Sequence, residues 1–548
     1  MSSTHYFRPA LRPLAAALLI AMPALASAGS TFSSGKDMNL SGSYAGTFQA
    51  GGKFTQSNGT FTVQGPSSAG SMALGGTLAF DPAGGFKTVT VSGDYEGGGR
   101  LALNTALADD GSATDQLIIG GATSGTTQVT IANAGGPGAQ TRNGIQVVQV
   151  GGASNGVFAL DGRVVAGAYE YKLYKGGAQT GDDGDWYLRS QSTSGKPSGK
   201  PATPSQPATP VAPVAPAPSQ GTGRPVARPG DQVYRPEAGA YAANQSAALG
   251  LFQHQMHDRA GETDFAGHDG KERAPAVWTR VQRRQIDGQA GVGQLDLSTD
   301  ASLLQVGGEL ASWRVAGQRI HVGAMAGAGR ADSHIGSRES GYRAKGQVDA
   351  YSVGLYASWF GSAEQQAGPY ADAWVQYGSY DNKVRGEQLA EEKYDADSWQ
   401  ASLEGGWTFA IPAGETLALF VEPQAQLIYT DYNADDHVEV NGTQVGASQS
   451  GVLTSRVGVR VFGHAGEGEH NLVQPFLQLN WWHNDKDSVV RLDGDELALD
   501  LPRDRYEAKL GVQAQMGGGW TGWANAAYAT GSDEYRDVGG QLGVNYRW

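Results

Sequence analysis

The sequence predicts an all-β protein: a short right-handed β-helix-like region, a Pro-rich linker, one α-helix and a 12-stranded antiparallel transmembrane β-barrel, in that order. Three observations lead there. From about Ala276 onward apolar and polar residues alternate, the period of a strand with a different environment on each face. Ahead of residue 190, short β-prone runs are punctuated by Gly and Asp-Gly turns, and large aromatic residues are few, which favours a solenoid over a sandwich. The longest nearly apolar run, Leu14–Ala26, is shorter than the roughly 20 residues a membrane helix needs.

Composition narrows the function classes. Forty Lys and Arg against 54 Asp and Glu give a formal net charge of -14, which argues against a nucleic-acid partner. The mean hydropathy of -0.36 excludes a helical multi-span protein. With no cysteine there are no disulfides, no thiolate zinc sites and no cysteine nucleophile.

Residues 1–28 read as a secretory signal peptide. Arg8 and Arg12 precede the apolar Leu14–Ala21 stretch, and Ala26-Ser27-Ala28 supplies the small-x-small pattern, with Ala26 and Ala28 flanking the cleavage position. Residues 29–191 form the solenoid-like zone, with strands expected at Thr77–Phe80, Thr88–Val91, Arg100–Leu103, Gln116–Ile119, Gln128–Ile131 and Ile145–Val150. Residues 192–235 are the linker: ten of the 23 prolines lie between Pro197 and Pro229, a composition that works as an extended spacer. In residues 236–259, Pro236, Glu237, abundant Ala and a closing Arg259 predict one helix about 36 Å long, with small and amide side chains suited to a polar tunnel.

Residues 260–548 are the barrel. On Tyr351–Trp359, residues Tyr351, Val353, Leu355, Ala357 and Trp359 share a face, and on Val421–Tyr429 Glu422, Gln424 and Gln426 alternate with apolar neighbours. Trp278, Trp359, Trp481 and Trp548 fall near strand ends, as an interfacial girdle requires. The 273 residues from Ala276 divide into twelve strands with their loops, an even number as in bacterial outer-membrane barrels.

Several motifs then acquire a family context. Ser92–Thr105, Asp115–Thr127, Gly162–Lys175 and Gly184–Ser190 resemble the end of the passenger of classical monomeric autotransporters (type V secretion) of the pertactin-like kind. Tyr234–Asn244 and His257-Asp-Arg259 resemble that family's pore helix, and the resemblance runs from about Gly85 to Trp548. Residues Gly29–Phe80 match nothing recognisable. The resemblance implies an exported chain whose barrel sits in the outer membrane and whose short passenger, with a β-helix cap or autochaperone region, is displayed at the cell surface or released. It implies outer-membrane lipid, barrel-assembly machinery, periplasmic chaperones and a host or cell-surface ligand as partners, in a monomer. It also assigns Leu542, Val544, Tyr546 and Trp548 to the signal read by barrel-assembly machinery, and makes Asn244 a candidate for passenger cleavage.

No catalytic, cofactor-binding or metal residue is assigned. Gly152-Ala-Ser-Asn-Gly156 fits G-x-S-x-G literally, but its flanks read strand–turn–strand and no His lies between Gly29 and Gln253. His254 and His257 are three apart, a spacing that can share a metal, yet no third ligand is evident. The groups Asp431, Asp435, Asp436, His437 and His483, Asp485, Asp487 read as solvated loop ends. The leading function, adhesion, aggregation or biofilm formation by the displayed passenger, is what the family resemblance implies. An exported protease or esterase on the same barrel, and a porin-like channel with a vestigial extension, are the alternatives.

Overall fold

The computed structural model describes residues 29–192, 231–260, 276–362, 367–412, 417–465, 473–516 and 518–547. The signal segment with Ala26 and Ala28, the proline-rich stretch 193–230 and Trp548 lie outside the described residues.

Three parallel ladders build the front half. In one, Tyr44, Phe61, Leu78, Leu101, Val129 and Leu160 stack rung upon rung. In the second, Val89, Leu117 and Val148 follow one another. In the third, Met38, Phe54, Met72, Tyr95 and Thr123 do so. The strands at Thr77–Phe80, Thr88–Val91, Gln116–Ile119 and Ile145–Val150 have the boundaries expected from sequence. Gly29–Phe80, unmatched by any motif, continues the same three ladders. Its core is more aromatic than composition suggested: Phe48 stacks on Phe54 with centroids 4.1 Å apart, and Phe61 meets both edge-on.

The solenoid ends in antiparallel strands. Ile145–Val150 pairs with Gly181–Arg189, which pairs with Tyr169–Gly177, which pairs in turn with Val164–Ala166. Reversing direction closes an edge that would otherwise offer unpaired backbone groups to a further parallel strand.

Twelve antiparallel strands form a closed barrel: β1 Ala276–Ala290, β2 Leu295–Val315, β3 Gln318–Ser337, β4 Arg343–Phe360, β5 Gly368–Gly386, β6 Glu391–Pro412, β7 Leu417–Ala434, β8 Gln449–Ala465, β9 Val473–Asn484, β10 Asp504–Gln515, β11 Trp520–Gly531 and β12 Arg536–Arg547. β1 and β12 seal it in continuous register from Ala276↔Arg547 to Asp287↔Arg536. Closure is what a sheet needs in hydrocarbon, where an open edge would leave donors and acceptors unsatisfied.

Outward aromatics form two rows. Trp399 and Trp407 on β6, Tyr351 and Trp359 on β4, and Trp520 and Tyr528 on β11 are each eight residues apart on one strand. At about 3.3 Å per residue and a tilt near 40°, that spacing is roughly 20 Å along the membrane normal, close to the apolar band of outer-membrane barrels. Exposed Val353, Leu355, Leu403, Leu510 and Leu542 lie between the rows. Trp278 does not belong to them. It is only 2% exposed and points inward, its indole N–H donating to the Tyr356 hydroxyl at 3.2 Å. Proximity to a strand end in sequence could not reveal which face it takes.

At the end carrying the β2–β3 turn, two to seven residues separate consecutive strands. At the opposite end two long loops add a small four-stranded sheet of His437–Val438, Gln444–Gly446, Val489–Leu492 and Asp495–Ala498. Long loops mark the extracellular end of such barrels, and the solenoid cap sits there, with the Gly167 amide donating to the Thr443 hydroxyl at 3.1 Å.

Leu510→Arg, on the lipid face between the aromatic rows, is expected to destabilise the lipid-embedded barrel by about 2–4 kcal/mol in a denaturant titration. The lumen-facing Asn525→Arg should cost clearly less.

Candidate functional site: a charged lumen threaded by the chain

The single helix expected over 236–259 is two. α1 spans Pro236–Leu251 and α2 spans Met256–Ala260, with residues 252–255 non-helical between them. Pro at the first turn and the alanines start α1 as anticipated. Its end is set by the barrel. Breaking a helix frees backbone carbonyls that need donors, and wall amides supply them. Gln400 donates to the Leu249 carbonyl at 2.9 Å, Gln376 to that of Phe252 at 3.0 Å, and Gln426 to that of His254 at 2.9 Å. The partners of the break are therefore more than 120 residues away in sequence, where local propensity carries no trace of them.

α1 lies against β2–β5 inside the bore. Wall glycines make room for it. A Cβ at Gly346 would overlap the Asn244 side chain, one at Gly386 would overlap Glu237, and one at Gly329 would fall 2.6 Å from Leu251 Cδ2. Asn244 is fully buried and its Nδ2 donates to the Lys383 carbonyl at 3.1 Å. No carboxylate is among its hydrogen-bond partners in the described residues. Tyr241 donates from its hydroxyl to Glu439 at 3.0 Å, and lies 3.1 Å from His437 Nε2.

α2 is held by charge. Arg259 binds Asp372 at 2.5 Å and Ser358 at 3.1 Å, with its guanidinium 3.9 Å above the Tyr356 ring. Lys509 donates to Asp258 at 2.9 Å, His257 meets Glu422 at 2.7 Å, and the Met256 amide donates to Glu404 at 3.1 Å. Arg456 pairs with Glu404 at 3.0 Å in turn. Removing one partner of such a buried pair costs about 3–5 kcal/mol, because a desolvated charge is left behind. The lumen is not filled everywhere. A polar cavity of about 80 Å³ remains beside the β10–β12 wall, lined in part by Asp258, Arg505, Glu507, Lys509 and Asp537.

The residues singled out for chemistry are dispersed. His254 stacks on Trp374 with centroids 4.7 Å apart, while His257 turns to Glu422, so the two imidazoles do not converge. His437 lies flat on Tyr394, forming part of the seat for α1. His483 binds Asp504 at 2.9 Å, Asp485 accepts from the Leu453 amide, and Asp487 pairs with Arg503. Ser154 forms a parallel β-bridge with Thr123 just ahead of the strand Val157–Leu160, which is not the strand-to-helix elbow a nucleophilic serine requires. The Arg259–Asp372 and Arg456–Glu404 pairs were not singled out from sequence. Asp372, Arg456 and Glu404 are signalled only as charged residues at inward positions of strand interiors, and Arg259 only as the closing residue of the helical stretch.

A closed twelve-stranded barrel whose own upstream chain fills the bore defines a self-threaded outer-membrane translocator. Comparison with known proteins agrees. The family model described as autotransporter beta-domain matches residues 277–527, and the autochaperone domain type 1 model matches residues 67–173, starting earlier than the motifs quoted above. The uncharacterized protein YdeU of Escherichia coli strain K12 is 35% identical over 476 residues, which are 84% of this chain and 98% of that protein. The autotransporter adhesin AIDA-I of Escherichia coli is 29% identical over 473 residues, 84% of this chain but 34% of its own length. The crystal structure of the AIDA-I transport unit superposes with a TM-score of 0.52 and 26% identity, covering 57% of this chain and all of that one. The chain belongs to the autotransporter family, and its barrel is an outer-membrane domain.

If the helix plugs the bore as described, Gly346→Leu will unseat it. The overlap should cost about 1–3 kcal/mol, and single-channel conductance in planar bilayers should rise well above that of the unaltered protein. An unchanged, low conductance would count against the plug.

Proposed function

We propose that this autotransporter displays its short solenoid as an adhesive surface for a host or cell-surface ligand, and that it is not an enzyme. The observation that carries the display reading is the path of the chain: solenoid at the long-loop end, helix in the bore, barrel around it. Adhesion is supported by what relatives are called, among them the autotransporter adhesin AIDA-I and the adhesin BmaC autotransporter of Brucella suis, although the chain spans only 34% and 14% of their lengths. Against hydrolysis stands the make-up of residues 29–192, which contain neither His nor Cys.

The proposal extends to biogenesis. Residues 1–28 direct export with cleavage after Ala28, periplasmic chaperones keep the chain unfolded, and barrel-assembly machinery reads Leu542, Val544, Tyr546 and Trp548. Leu542 and Val544 face outward on the terminal strand, where an assembly factor could reach them. Asn244 serves chiefly to fix α1 through the Lys383 carbonyl. Cleavage there is the second reading, and blocking it by Asn244→Gln would leave a full-length band where the unaltered chain gives two.

Cells bearing the full chain should attach to host-cell layers or to one another more than cells bearing a chain without residues 29–192. Equal attachment, or hydrolysis of peptide or ester substrates by surface-displayed protein, would contradict the proposal.

A further inference from the structure

The proline-rich stretch reads as a spacer, and its two described flanks are held side by side. The Ser192 amide donates to the Asp231 carbonyl at 2.6 Å, and the Val233 amide to the Ser190 carbonyl at 2.8 Å. On its other side the same short segment receives the Glu170 amide at the Val233 carbonyl, at 3.0 Å, and sends the Arg235 amide to the Ala168 carbonyl, also at 3.0 Å. Asp231–Arg235 is therefore a middle strand, bridged to Gln191 on one side and Tyr169 on the other, with Tyr234 stacked on Tyr169. The chain leaves the solenoid cap at Ser192 and returns to the same sheet at Asp231, whatever lies between.

Charge reinforces the seam. Arg163 of the cap binds Glu170 at 2.5 Å and Glu237, the second residue of α1, at 2.6 Å, and its guanidinium also donates to the Glu387 carbonyl at 2.8 Å. Arg235 pairs with Glu439 at 2.7 Å and donates to the Gly167 carbonyl at 2.6 Å. Burial alone would lower the Arg235 guanidinium, but the adjacent Glu439 and Glu237 hold it above its ordinary range. Both arginine side chains are 0% exposed. Lys172 donates to the Glu339 carbonyl, and the Ser192 hydroxyl to the Glu339 carboxylate at 2.7 Å.

We infer that the barrel half fastens the solenoid non-covalently, by lending Asp231–Arg235 as a strand to the cap and clamping it with Arg163 and Arg235, so that attachment does not depend on an unbroken backbone through 193–230. This is strand addition, with the two partners drawn from one chain. A cut within 193–230 would leave the solenoid in place and facing the same way. The inference does not rest on the adhesive reading.

The test uses the purified full-length protein in detergent, with a recognition sequence for a site-specific protease placed within 193–230. After complete cutting, the solenoid and barrel fragments should co-elute in size-exclusion chromatography. Arg163→Ala leaves Glu170 and Glu237 buried without their counter-charge, and Val233→Pro removes the donor to Ser190. Each should speed release after cutting by about a hundredfold or more, while Val233→Ala should not. Protease resistance of the solenoid before the cut establishes that each variant has folded. Separation of the fragments of the unaltered sequence on cutting would overturn the inference by itself. So would retention in both Arg163→Ala and Val233→Pro equal to that of the unaltered sequence.

Discussion

Hydrocarbon offers no hydrogen bonds, and every other feature of this protein follows from how the chain satisfies its backbone under that constraint. Closing β1 on β12 removes the last open edge. Closure of twelve strands then fixes the bore, and alternation makes one face of each strand greasy and the other polar. A helix can occupy that polar bore because it brings its own backbone bonds. The Gly and Ala content of the facing surfaces lets the two approach: Ala238, Ala240 and Ala242 on α1, and Gly329 and Gly346 on the wall.

The charged groups follow from the same logic. The Gln, Glu and Arg side chains that line the lumen cost little while hydrated. Once α2 settles, they are desolvated together and become tolerable only as pairs, of which Arg259–Asp372 and Lys509–Asp258 are examples. Such a network contributes less to stability than to register. It accepts one placement of α2 and penalises neighbouring ones, because a slipped helix would strand several buried charges. The cap and its seam repeat the arrangement outside, where Arg163 and Arg235 fix the solenoid to the mouth.

Much of this was legible in the sequence because it is periodic. Alternation gave the barrel and its strand number, and Gly-punctuated runs gave the solenoid strands to the residue at Thr77–Phe80 and Gln116–Ile119. What escaped reading depends on contacts between distant residues. The break after Leu251 is imposed by Gln376, Gln400 and Gln426, and the inward turn of Trp278 by its place beside Tyr356. Gly29–Phe80 was opaque because its rungs differ in length from those that follow, although the inward residues stack on the same ladders. The proline composition reads as a spacer, but composition cannot tell that Ser192 and Asp231, on either side of it, are held side by side.

The closed seam is the claim on which the rest stands, and it can be tested with cysteines because the sequence has none of its own. Thr279 and Val544 are register partners across it. In cells carrying Thr279→Cys with Val544→Cys, mild oxidation should give an intramolecular disulfide in the outer-membrane fraction, read as a monomer with a reduction-sensitive shift in mobility. Cross-linking only between chains, or none while each cysteine remains reactive to a thiol reagent, would mean that the strand order is open and the lumen described here does not exist.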